Sequence, residues 1–232
     1  MTRAMLKDAA KQQLQGKWAT GVLATLIVMV LGGAVGAFTG IGNSLIMIAS
    51  GENAPGMLLG GSAVSIIAWV AYLLVIPALS LGFCRMFLQM AKGQEVELKD
   101  LFWGFRYFLK ALGLTVMVAI FTLLWTLLFV IPGIIAAYRY SQAFFLLAED
   151  PEIGVMEAIR QSKQMMIGHK WEYFVLELSF IGWAILASFC LIGMLWLAPY
   201  MNVTYANYYL NLRREGGQSP APAPAPAVGP EL

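Results

Sequence analysis

The chain has 232 residues, of which 59% are hydrophobic and 12% charged, and its mean hydropathy is +0.72. Soluble domains average roughly half apolar and about a quarter charged, so a purely water-facing surface is excluded. A net charge of +2 leaves no electrostatic footprint for nucleic acid. The two cysteines, Cys84 and Cys190, lie inside apolar runs and read as small buried residues, not as a disulfide.

Residues 2–17 form an amphipathic pattern. Arg3, Lys7 and Lys11 repeat every four residues on one face, and Leu6, Ala10, Leu14 and Trp18 on another. This suits a helix lying on a membrane surface, or a plain cytosolic lead-in helix. The following run, about 19–42, is too long for a signal-peptide core and reads as a retained first span. A turn-prone stretch ends in Gly51 to Gly56. The second apolar stretch, about 57–90, exceeds the roughly 20 residues a bilayer needs. It is expected to tilt, to kink near Pro77 or to extend past the membrane. Polar residues 92–107 follow, including an amphipathic piece from Glu97 to Phe108.

A third span covers about 108–131. Ile131-Pro132-Gly133 breaks it, and a fourth segment covers 134–148. Asp150-Pro151-Glu152 has the form of a helix start, an Asp cap with Pro in the first turn. It opens an amphipathic helix of about 152–169 with Val155, Met156, Ile159 and Met166 on one side. The fifth span runs from Trp171 to about Leu197, Pro199 breaks it, and a more polar sixth segment covers 200–212. Residues 214–232, rich in alternating Pro and Ala, read as a disordered spacer.

The predicted fold is therefore an all-α transmembrane bundle of about six spans over residues 1–213. Three hairpin-like units, 1–95, 96–150 and 151–213, each hold an amphipathic helix, a span, a proline and a second span. Pro77, Pro132 and Pro199 are each followed six residues later by an aromatic: Phe83, Tyr138 and Tyr205. Gly16-Lys17-Trp18 and Gly168-His169-Lys170-Trp171 open spans in the first and third units. The connections near 43–56, 131–133 and 198–200 contain no Lys or Arg, whereas all basic residues except Arg85 and Arg139 fall on the opposite side. The positive-inside rule then puts both termini in the cytoplasm of a multi-pass cell-membrane protein.

Charged residues within spans are the candidates for function. Arg139, in Tyr138-Arg139-Tyr140, needs a partner, and Glu177, about two turns into the fifth span, is the best placed. The pair reads first as a structural ion pair between helices. A ligand, lipid-headgroup or ion site and a snorkelling Arg139 are the alternatives. Arg85, near the basic end of its span, reads as snorkelling. Tyr205, Asn207 and their polar neighbours line a cavity or join helices by hydrogen bonds. The catalytic search finds one histidine, His169, and no metal-ligand spacing, nucleophile elbow or phosphate loop. No enzyme activity, cofactor or metal centre is expected.

Several stretches together resemble the DUF975 family of uncharacterised bacterial membrane proteins. They are Leu14-x-Gly16-x-Trp18, Pro132 to Ser141, Ala158-Ile159-x-x-Ser162, Met166-x-Gly168-x-Lys170, Leu176 to Trp183, and Pro199-Tyr200 through Ala206. The resemblance implies a polytopic membrane protein and supplies no substrate. Two functions follow as expectations. The first is a non-enzymatic scaffold or accessory protein whose cytoplasmic amphipathic helices contact membrane lipid, a protein partner or a second copy of the chain. The alternative is a small transporter or channel with a site around Arg139.

Overall fold

A computed structural model describes residues 2–52, 55–189 and 191–216, and every regular element among them is helical. Of the spacer expected over 214–232, Arg214 and Glu215 are helical and close the last helix, and the residues beyond Gly216 lie outside the described residues.

Helix α1 (Arg3–Leu14) starts at Thr2, whose hydroxyl accepts the Met5 N–H, and ends before Gly16, which takes a left-handed φ of 78°. Leu6, Ala10 and Leu14 are buried. They join cores built with α3 and with the last two helices. The apolar side of α1 is thus covered by the bundle itself.

Helices α2 (Trp18–Glu52) and α3 (Pro55–Ala91) form a long hairpin of 35 and 37 residues, about 50–55 Å at 1.5 Å per residue. A Cβ on Gly61 would sit 2.8 Å from the Gly42 carbonyl oxygen, so glycine permits this close crossing. Helix α3 runs through Pro77 without a break. Its surplus length carries Leu79 to Ala91 into the bundle core, where most of its side chains are buried. A 3₁₀ helix, Leu98–Tyr107, follows. Its start is fixed by Asp100, whose Oδ2 accepts the Glu97 N–H at 2.9 Å.

Helices α4 (Phe108–Leu128) and α5 (Val130–Tyr140) form a second hairpin around Phe129, with Pro132 in the first turn of α5, where an N–H is dispensable. The predicted 134–148 segment is in fact two helices, since α5 stops at Tyr140 and α6 covers Ala143–Glu149. Helix α7 (Val155–Met165) is capped by Gly154. Asp150, expected as the cap, instead accepts the Glu152 N–H at 3.0 Å in a local turn.

Helix α8 (Lys170–Phe189) is shorter than the span expected to reach Leu197, and α9 (Leu191–Glu215) passes straight through Pro199. Residues 198–200, expected as the last connection, therefore lie inside α9. Proline removes one helical donor but its fixed φ is helical. Its ring is accommodated by Gly21 of α2, where a Cβ would come within 3.0 Å of the Pro199 Cβ. Among the described residues, five stretches are long and apolar enough to cross a membrane: Trp18–Ile48, Leu59–Ala91, Leu98–Leu128, Val130–Glu149 and Lys170–Phe189. The C-terminal helix α9, counted as a sixth span from sequence, is not among them.

Candidate functional site

The six residues singled out from sequence do not form one site. Tyr138 of α5 donates a 2.9 Å hydrogen bond to Glu177 Oε2 of α8. The expected Arg139–Glu177 ion pair is absent, and among the described residues no carboxylate lies within 4.0 Å of Arg139. Neighbouring residues on a helix point about 100° apart, so when Tyr138 faces α8, Arg139 cannot. Tyr140 is buried on the α4 side, its ring 6.0 Å from that of Phe121. Tyr205 joins the Tyr138–Glu177 neighbourhood through Tyr173, which lies between them at ring separations of 5.6 and 6.0 Å. Asn207 belongs elsewhere. Its amide donates to Gln13 Oε1 at 2.7 Å, and Gln13 in turn donates to the Ala91 carbonyl at 2.7 Å, tying α9, α1 and α3 together.

The break between α5 and α6 is closed by α7. The buried Ser162 hydroxyl donates to the Arg139 carbonyl at 2.8 Å and accepts the Gln142 N–H at 3.2 Å. Two of the backbone groups freed by the break are thereby satisfied.

The densest polar centre was not expected from sequence. Glu149, at the end of α6, has a side chain only 1% exposed. Lys92 reaches its Oε1 at 2.6 Å, the Tyr209 hydroxyl donates to Oε2 at 2.5 Å, and Arg213 Nε lies 3.1 Å from Oε2. Three segments distant in sequence, the end of α3, the end of α6 and the last turns of α9, thus converge on one carboxylate. The weak clue in the sequence was an acid closing an apolar segment with no basic residue four positions away. Further lysines serve helix ends close by, with Lys17 donating to the Gln94 carbonyl at 2.5 Å and Lys110 to the Pro151 carbonyl at 2.6 Å. Arg85 does not simply snorkel, because its guanidinium lies 3.8 Å from the centre of the Trp103 ring.

Away from this polar end the hairpins turn apolar side chains outward, as with Leu127 at 82% and Phe189 at 83% exposure. Such surfaces suit lipid, with each helix satisfying its own backbone. This is a helical membrane protein, polar at one end of its bundle. A family model described as "Protein of unknown function (DUF975)" matches residues 1–135 and 126–216, and the chain belongs to that family. No curated protein and no solved structure matches it.

Proposed function

We propose that this chain is a non-enzymatic membrane scaffold or accessory protein, with both termini cytoplasmic, that works through its layer of polar, amphipathic helices. The observation that carries this reading is the convergence on Glu149. Lys92, Tyr209 and Arg213 fasten the basic end of the bundle into one body, while the long hairpins beyond it turn apolar side chains outward. By the positive-inside rule that basic end meets the cytosol. It presents an exposed aromatic pair, Phe102 and Phe105, with ring centres 6.3 Å apart, and aromatic side chains are favoured at protein interfaces.

A photo-crosslinking amino acid at Phe102, activated in native membranes, tests the proposal. The expected result is a discrete protein adduct that is absent when the probe is moved to lipid-facing Leu127. Failure to recover any defined adduct would overturn the scaffold reading. The alternative, a transporter or channel around Arg139, has weaker support. Glu177 is engaged by Tyr138, and Arg139 lines neither of two cavities of about 740 and 620 Å3. Liposome flux abolished by Arg139→Ala would favour it.

A further inference from the structure

Helices α1, α8 and α9, with Trp18 at the start of α2, line an open groove of about 740 Å3, within the size range of small-ligand sites, roughly 300–1,000 Å3. Its two ends differ in chemistry. Lys7, Lys11 and Asp8 of α1 line one end, and Trp183, Leu186 and Trp196 line the other. These three apolar residues are 62%, 64% and 53% exposed, so the apolar end opens to the lipid-facing side of the α8–α9 hairpin.

At the first end two cations, Lys7 and Lys11, stand against one carboxylate, Asp8. Arg3, Lys7 and Lys11 share one side of α1, and among the described residues none has a carboxylate within 4.0 Å. Lys7 instead reaches the Ser179 carbonyl at 3.4 Å and lies 4.1 Å from the centre of the Phe180 ring. Partial burial, and then the positive charges of Arg3 and Lys11, hold its ammonium below the usual lysine pKa, a crowding that a bound anion relieves.

Order along α8 adds a second constraint. Ser179, whose carbonyl Lys7 reaches, comes about one turn before Trp183 and two before Leu186. The groove therefore runs from the cations of α1 to tryptophan and leucine farther along α8.

We propose that this groove binds one anionic phospholipid of the adjoining leaflet, with its phosphate on Lys7 and Lys11 and an acyl chain along Trp183, Leu186 and Trp196. The proposal rests on the membrane placement of the chain and not on its having a protein partner. Loss of the Phe102 adduct would therefore leave it standing.

The test titrates the detergent-purified full chain with phosphatidylglycerol carrying brominated acyl chains, and with phosphatidylcholine carrying the same chains, while tryptophan fluorescence is followed. Saturable quenching is expected from the anionic lipid at concentrations where the zwitterionic one has no effect. Lys7→Gln/Lys11→Gln should weaken binding about thirtyfold, the effect of two basic residues at a membrane surface. Lys99→Gln/Lys163→Gln removes the same charge elsewhere and should leave affinity unchanged. Ala4→Phe keeps both lysines and narrows the groove at an exposed helix position, so it should also weaken binding even if the double variant does not fold. Equal quenching by the two lipids, equal effects of the two lysine pairs, or displacement of the lipid by inorganic phosphate would overturn the proposal.

Discussion

Glu149→Ala is expected to destabilise the bundle by about 3–5 kcal/mol, the range for breaking a buried ion pair from one side. The side chain is 1% exposed and receives Lys92, Tyr209 and Arg213 together. Its removal leaves two cations facing each other across a cavity and a phenol without an acceptor. Thermal unfolding in detergent, followed by intrinsic fluorescence, measures the loss. Glu149→Gln should cost less, because an amide oxygen still accepts the Tyr209 hydroxyl. An unchanged melting temperature for Glu149→Ala would show that this end of the bundle is held by apolar packing alone.

Gly104→Ala should reach or exceed the upper end of the roughly 1–3 kcal/mol that overpacking costs. The 3₁₀ helix crosses α3 so closely that a Cβ on Gly104 would fall on the Ala78 carbonyl oxygen, and one on Gly82 would fall on the Leu101 carbonyl oxygen. Both obstacles are backbone, so no side-chain rotation relieves them. Gly36→Ala in α2 is the matched control. Nothing lies within 4 Å of its Cβ position, and alanine is the better helix former by about 1 kcal/mol. Equal melting temperatures for Gly104→Ala and Gly36→Ala would contradict the crossing.

These two sites also show how far the sequence could be read. Helical class and lipid placement were legible, because hydropathy over 20-residue runs reports the solvent directly. Gly16-Lys17-Trp18 and Gly168-His169-Lys170-Trp171 were legible as the openings of long apolar helices, since α2 begins at Trp18 and α8 at Lys170, and both glycines adopt positive φ. Pro199 misled because a proline break and a proline tolerated in a helix look the same without the partner surface, here Gly21. Arg139 and Glu177 were rightly placed on neighbouring helices and wrongly paired, since depth follows from residue counting but rotation about the helix axis does not. Glu149 and Asn207 were harder still. Their partners Lys92, Arg213 and Gln13 are set by how hairpins pack side by side, which no local pattern encodes. The same holds for the docking of α1, whose apolar repeat announced a buried face without saying what would cover it.

The basic, Glu149-centred end of the molecule is assigned to the cytosol, and thiol labelling at Lys99 tests this most directly. Lys99 has a side chain 74% exposed. With Cys84 and Cys190 replaced by alanine, Lys99→Cys should resist a membrane-impermeant maleimide in intact cells and react fully once the membrane is opened. Full reaction in intact cells would put that end outside and contradict the account.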